Sequence, residues 1–180
     1  MDSLTILKNE YLDLQNNPIT NICASVGLPE ENNLYHWQCT LAGPSDTSFA
    51  NGLFYFDVYF PKDYPKKPPE VQFATPIYHV NVNHIDQPDC ALGHVCISTL
   101  NWWKPEYRMR EVISNIFALF YLGNGLSPYG VDRQTEMLQN RPLYEAKIKY
   151  FTKKYASPDL DYQEYKSWDF SYDSSNNDNY

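Results

Sequence analysis

Two segments in which apolar residues alternate with other residues constrain the fold more than any other feature. The segments are 35–41 and 53–60, and their apolar faces carry Tyr35, Trp37, Cys39, Leu41, Phe54, Phe56, Val58 and Phe60. A period of two is typical of strands that bury one face. Between them, Gly43-Pro44-Ser45-Asp46 predicts a turn, and Asn51-Gly52 tolerates positive φ. Strands joined by so short a connection pair antiparallel, as in a meander.

Further strands and helices are predicted on both sides of this pair. Short strands are expected at 22–26 and 71–73, and apolar residues spaced by three and four predict a helix over 4–16. After Pro105 the pattern predicts a helix that is apolar around most of its circumference and therefore buried, followed by a weaker helix over 131–138 and a last helix with Pro142 in its first turn. This order predicts an α+β fold: an N-terminal helix, a four-stranded antiparallel meander and C-terminal helices.

Composition and charge restrict the classes of partner. The 180 residues include 43% hydrophobic residues, enough for a sizeable core, and carry a formal net charge of −8. We expect no nucleic-acid partner, because phosphate binding needs clustered Lys and Arg. We also expect no membrane partner, since no apolar run approaches the roughly 20 residues of a span. The first residues lack the basic-then-apolar order of a signal peptide, which predicts a location in the cytoplasm, the nucleus or both.

The stretch from Tyr78 to Pro105 carries the candidate chemistry. Cys96 follows a long irregular segment and precedes helix-like sequence, which is a common way to present a nucleophile. Cys23 and Cys39 lie in strand-like runs and are interpreted as small core residues. A zinc site is a weaker alternative, because the spacings do not match the usual short Cys-x-x-Cys pairs. Its candidate ligands are His79, His84, Cys90, His94 and Cys96.

Four motifs in a fixed order resemble the ubiquitin-conjugating enzymes. They are Asp63-Tyr64-Pro65-x-x-Pro68-Pro69, Ile77-Tyr78-His79-x-Asn81, Gly93-x-x-Cys96-Ile97 and Trp103-x-Pro105. His36-Trp37, Gly43-Pro44 and the Phe-rich strand also fall where that family has them, and the similarity covers roughly residues 3 to 156. Each motif is short, but the set in this order is specific. We therefore identify the chain as a member of this family with its UBC fold.

The resemblance implies a two-step acyl carrier. Cys96 would accept ubiquitin or a ubiquitin-like modifier from an activating enzyme as a thioester, then pass it to a substrate lysine or to a ligase. Asn81 matches the family's Asn that stabilises the oxyanion or holds the adjoining loop. His79 matches a structural histidine. No bound cofactor is expected, because ATP is used by the partner activating enzyme.

Several positions depart from the family pattern. Val80 replaces a proline, which we expect to loosen the placement of Asn81. Ser127 stands at the gate of the active site, where an Asp is frequent, and a hydroxyl can orient an incoming lysine but is a poor base. The segment before Cys96 is longer than in minimal members of the family. His94, two residues before Cys96, is interpreted as an exposed loop histidine, with an acid–base role as the alternative.

The surface expected to contact ligases departs from the family as well. Lys66, after Pro65, replaces an apolar residue, and Glu106, after Pro105, replaces a small one. In the first helix Thr5 and Asn9 stand where basic residues are frequent. Because charge at the centre of an interface weakens binding, we expect ordinary RING-type ligases to bind poorly and the partner ligase to be specialised.

The last residues change in composition to Asp, Ser, Asn and Tyr. We predict a core domain over 1–156 and an acidic, largely disordered tail over 157–180. The tail is interpreted as a solvated terminus, and the alternative is an electrostatic tether to a basic groove on a ligase.

Two other functions compete with conjugation. An inactive variant of the same fold would act only as a binding or scaffold module, although such variants typically lack the cysteine. A papain-like hydrolase is weaker still, because no Asn or Asp partner for a catalytic histidine is identifiable.

Overall fold

A four-stranded antiparallel sheet follows an N-terminal helix in the chain and precedes the other helices. The computed structural model describes residues 2–20, 22, 24–84, 91–123, 125 and 128–159. Its elements are α1 (Ser3–Asn16), β1 (Ala24–Gly27), β2 (His36–Ala42), β3 (Leu53–Tyr59), β4 (Glu70–Phe73), α2 (Ser98–Asn101), α3 (Met109–Leu119), α4 (Val131–Gln139) and α5 (Arg141–Tyr155). This order confirms the predicted α+β fold.

The sheet is the predicted meander, with the strand order β1-β2-β3-β4 and every neighbouring pair antiparallel. The register between β2 and β3 places Trp37 opposite Val58 and Cys39 opposite Phe56. All four side chains are buried, which confirms Cys39 as a core residue. The alternation in the sequence therefore sets which face of the sheet meets the helices.

The buried residues of helix α3 belong to the same core as the sheet, but the helix is less apolar than predicted, since it is not apolar around most of its circumference. Its buried residues are Met109, Val112, Ile113 and Ile116. Glu111, Asn115 and Ala118 are exposed, so the helix is amphipathic with one wide apolar stripe.

A carboxylate from α1 joins three parts of the chain. Glu10 accepts a hydrogen bond from the Tyr64 hydroxyl at 2.9 Å and another from the Met109 N–H, at the start of α3, at 2.9 Å. Negative charge is favoured at a helix N-terminus. Burial nevertheless raises the pKa of Glu10, because desolvation outweighs these bonds. The contact fixes α1 against α3 and against the proline-rich connection before β4.

Helix α5 and the residue that follows it pack against the core at the start of β3. Pro142 lies in the first turn of α5, as predicted, and the Asn140 side chain accepts from the Leu143 N–H. The buried Ala156 accepts a hydrogen bond through its carbonyl from the Leu53 N–H at 2.8 Å. The packed part of the chain therefore reaches Ala156, while most of the predicted acidic tail, 160–180, lies outside the described residues.

Within the described ranges, no helix has the length and apolar character needed to cross a membrane.

Candidate active site

The segment that carries Cys96 is held by main-chain contacts on two sides. On one side the Val95 N–H donates to the carbonyl of Val71, in β4, at 3.0 Å. On the other side the Cys96 N–H donates to the Asn81 carbonyl at 2.9 Å. An isolated β-bridge between Val82 and Val95 adds to this pairing. The backbone of the candidate nucleophile is thus fixed between the sheet and the 79–83 loop.

Gly93 makes the close approach to β4 possible. Its φ is +78°, in the left-handed region that favours glycine. A Cβ at this position would lie 2.2 Å from the Phe73 carbonyl oxygen, so any side chain would clash with the backbone of the strand. The Gly93 carbonyl accepts from the Phe73 N–H at 2.8 Å. The glycine of the Gly93-x-x-Cys96 motif is therefore required for the path that leads to Cys96.

The thiol of Cys96 lies at the surface, in contact with an amide that the sequence analysis did not single out. Cys96 is partly exposed, whereas Cys39 is buried. The Asn101 Nδ2 donates to the Cys96 Sγ at 3.1 Å. Asn101 ends α2, a helix of four residues. So short a helix gives no periodic signal, and the contact could not be found from the sequence.

Asn81 lies beside Cys96 through its main chain, while its side chain belongs to the interior. The residue is 0% exposed. Its N–H donates to the His79 Nδ1 at 3.0 Å, and its carbonyl accepts from Cys96. The structure therefore brings Asn81, His79 and Cys96 together, with only the thiol side open to solvent.

The His79 ring is fixed in one neutral tautomer. Because its Nδ1 accepts from the Asn81 N–H, the proton is on Nε2, which donates to the Leu119 carbonyl at 3.0 Å. Burial lowers the pKa of His79 to about 4, and the nearby Arg133 acts in the same direction. Arg133 also donates to the His79 carbonyl at 3.3 Å. This geometry supports the structural role expected for His79.

Two hydrogen bonds hold Val80 and count against the expectation that it loosens the loop. Its N–H donates to the Tyr144 hydroxyl at 2.9 Å, and its carbonyl accepts from the Tyr129 N–H at 2.8 Å. Val80 and Tyr144 are both buried. A proline would have no N–H for Tyr144, so the valine permits a contact with α5 that holds the loop in place.

His94 is not the exposed histidine that the sequence analysis expected. It is partly buried, and its Nδ1 lies 2.5 Å from the Tyr129 hydroxyl. Desolvation by burial lowers the pKa of His94. The contact with Tyr129 links the Cys96 segment to the residues that precede α4.

Comparison with known proteins places the chain in a family. The family model described as "Ubiquitin-conjugating enzyme" matches residues 6–152. The chain belongs to the ubiquitin-conjugating enzyme family. A relative from Schizosaccharomyces pombe, named ubiquitin-conjugating enzyme E2 14, is 33% identical over 152 residues, which cover 83% of this chain and 92% of the relative.

The positions where the family is expected to meet its protein partners lie on α1 and on two loops, and we call them together the α1-loop face. It comprises Thr5, Asn9, Pro65, Lys66, Pro105 and Glu106. Five of these residues are exposed and Pro65 is partly exposed. The Trp103 Nε1 donates to the Pro65 carbonyl at 2.7 Å, which joins the loop carrying Lys66 to the loop carrying Glu106.

The same face is tied to α1. The Ser3 hydroxyl donates to the Tyr64 carbonyl at 2.6 Å, and the Tyr64 hydroxyl reaches Glu10. The peptide bond between Tyr64 and Pro65 is cis. The loop that carries Lys66 is therefore in contact with α1 and with the loop that carries Glu106.

Two candidate site residues, Ser127 and Cys90, lie outside the described residues, as do the rest of 85–90 and Cys23, which was expected in the core. Among the residues that are described, no group of three or more His, Cys, Asp or Glu side chains could hold a metal ion. His79 in particular uses both ring nitrogens in hydrogen bonds.

Proposed function

We propose that this ubiquitin-conjugating enzyme carries ubiquitin, or a ubiquitin-like modifier, as a thioester on Cys96 and transfers it to a lysine or to a ligase. In charging, the Cys96 sulfur attacks the carbonyl carbon of the modifier's C-terminus, held as a thioester on the activating enzyme. The new C–S bond forms, the old one breaks, and the activating enzyme's sulfur leaves as thiolate. ATP is consumed in the earlier step on the activating enzyme, so this chain needs no bound cofactor.

The observation that carries the proposal is the presentation of Cys96. Its backbone is fixed by the Asn81 carbonyl, its thiol is partly exposed, and an amide donor contacts the sulfur. A thiolate is a good nucleophile and a good leaving group, which suits a carrier that must both accept and release an acyl group.

Asn81 and His79 act in this proposal through the loop. The Asn81 carbonyl accepts a hydrogen bond from the Cys96 N–H, and the Asn81 N–H donates to the neutral His79 ring. A direct oxyanion role for the Asn81 amide needs a rearrangement, because the residue is 0% exposed. The buried arrangement favours the loop-holding role over the oxyanion role.

Because residue 127 is a serine, release of the modifier from Cys96 depends on the ligase. A hydroxyl orients the attacking amine but accepts its proton poorly, so transfer to free lysine is slow. The ligase is a specialised one, because Lys66 and Glu106 place charge on the α1-loop face.

The experiment incubates the protein with an activating enzyme, ATP and ubiquitin, and then with related modifiers. Wild type is expected to form an adduct that is sensitive to thiols, and Cys96→Ala is expected to form none. If no modifier charges Cys96, the protein is instead a binding or scaffold module of the same fold.

A further inference from the structure

The amide of Asn101 lies against the atom on which the proposed chemistry takes place. Its Nδ2 donates to the Cys96 Sγ at 3.1 Å. The backbone of Asn101 is itself fixed, because its N–H donates to the Ile97 carbonyl at 3.0 Å. The next N–H, of Trp102, donates to the Ser98 carbonyl at 2.8 Å. The single turn of α2 thus returns the chain so that residue 101 reaches the thiol.

The two asparagines near the sulfur occupy opposite environments. Asn101 is exposed, on the side from which a modifier and an amine must approach. Asn81 is 0% exposed, on the interior side. Of these two amides, that of Asn101 is exposed and in contact with the sulfur, whereas that of Asn81 is buried.

We propose that Asn101 is a catalytic residue of acyl transfer at Cys96, donating a hydrogen bond to the negative charge that develops there. This inference rests on the proposed function. It adds a residue that the family motifs in this sequence do not include.

The chemistry requires a donor at this place in both steps. When Sγ attacks the modifier's thioester, the carbonyl electrons move onto oxygen, and they return when the activating enzyme's sulfur leaves. When an amine attacks the Cys96 thioester, the oxygen again takes the charge, the new C–N bond forms, the C–Sγ bond breaks, and the amine's proton passes to solvent. The oxyanion is two bonds from Sγ. A donor in contact with Sγ reaches it by rotation of its own side chain.

The expected loss of rate depends on how exposed the Asn101 amide is to water. Removing one donor from a water-excluded oxyanion site costs about 100- to 1000-fold in rate. Because water competes at the exposed Asn101, we expect a loss of about tenfold.

Four variants test the inference in single-turnover charging and discharge. Asn101→Ala removes the donor and is expected to discharge to free amine about tenfold more slowly than wild type. Asn101→Asp has nearly the same shape but repels the oxyanion, so it is expected to be slower still. Asn101→Gln keeps an amide and is expected to recover part of the rate. The matched control is Asn17→Ala, which removes another exposed amide, one that donates to the Asp13 carboxylate at 2.9 Å, and it is expected to match wild type.

A second readout needs no modifier. The rate at which iodoacetamide alkylates Cys96 at neutral pH, followed by mass spectrometry of the Cys96 peptide, is expected to fall severalfold in Asn101→Ala and further in Asn101→Asp. The reason is that the first variant loses the amide that contacts Sγ and the second replaces it with a carboxylate that repels negative charge there. Circular dichroism of each variant checks that the fold is intact.

The outcomes separate this inference from the proposed function. If wild type is not charged by any modifier, the proposed function fails, and the alkylation rates still decide whether Asn101 acts on the sulfur. If Asn101→Ala matches wild type in discharge and in alkylation, the inference is wrong even though Cys96 is charged.

Discussion

The main-chain N–H of Cys96 donates to the carbonyl of Asn81 across 2.9 Å, so the candidate nucleophile and the 79–83 loop form one structural unit. The loop is in turn held from the interior, through His79 to Leu119 and through Val80 to Tyr144 on α5. A small displacement of a reacting group can lower the reaction rate by a large factor. These interior contacts are therefore expected to affect activity as well as stability.

Replacing Val80 with the proline typical of the family is expected to destabilise this protein. Val80→Pro gains about 0.4–1 kcal/mol from a stiffer unfolded chain, but it leaves the buried Tyr144 hydroxyl without the N–H that it accepts from, at a cost of about 1–3 kcal/mol. We expect a net loss of about 1–2 kcal/mol in the free energy of unfolding, measured by urea denaturation. In a Tyr144→Phe background the same change is expected to cost less. A Val80→Pro protein as stable as wild type would contradict this account of the loop.

Acid is expected to weaken the fold through His79. The folded pKa of His79 is about 4, below the ordinary 6.5, so between these values the unfolded chain binds the proton and the folded chain does not. Stability is therefore present above pH 6.5 and is lost as the pH falls toward 4. We expect about 2 kcal/mol less stability at pH 5 than at pH 7 from this residue, measured by urea denaturation at both values.

The His79 ring itself gives the direct check by NMR. Its ring proton is expected to keep the chemical shift of neutral imidazole down to pH 5. A midpoint near 6.5 for this ring would show that His79 is not held neutral by the interior.

Removing charge from the α1-loop face is expected to strengthen binding to an ordinary RING domain. The double variant Lys66→Phe and Glu106→Ala restores an apolar and a small residue at two exposed positions. We expect binding tighter by about 1 kcal/mol, or about fivefold in Kd, by calorimetry. Lys67→Ala is the control, since Lys67 lies in the same loop but pairs with Asp63 at 3.2 Å. Unchanged affinity in the double variant would mean that these charges do not limit ligase choice.

Placing a carboxylate at position 127 is expected to speed release to a free amine. Ser127→Asp supplies a better proton acceptor for the attacking lysine, and we expect about tenfold faster discharge in a single-turnover assay. Ser127→Asn, which has nearly the same size without a basic carboxylate, is the matched control. If the Asp variant is no faster than the Asn variant and wild type, slow release does not originate at Ser127.

The sheet could be predicted from the sequence because its alternation encodes both the strands and the face they bury. Trp37, Cys39 and Leu41 all lie in the core. The position of helix α3 was predicted correctly, but its surface is more polar than predicted. Its exposed residues lie between the apolar ones in the sequence, so they do not interrupt the apolar pattern. Periodicity reports the apolar stripe of a helix more reliably than the width of that stripe.

The residues of the candidate site could be predicted only where they stand in a short sequence motif. Cys96, Asn81 and His79 stand in such motifs, and the structure brings them together. The contact of Val80 with Tyr144 joins residues 64 positions apart. The Asn101 amide reaches Cys96 through a helix of four residues. Neither arrangement leaves a period in the sequence, so both depend on tertiary structure.

The most direct test of the central claim is the intact mass of the protein after incubation with an activating enzyme, ATP and ubiquitin. Wild type is predicted to gain the mass of one ubiquitin less one water, and to lose it on treatment with a thiol reductant. Cys96→Ser is predicted to hold any adduct through that treatment, because an oxygen ester resists thiols. A wild-type adduct that survives the reductant, or an adduct that persists in Cys96→Ala, would contradict a thioester on Cys96.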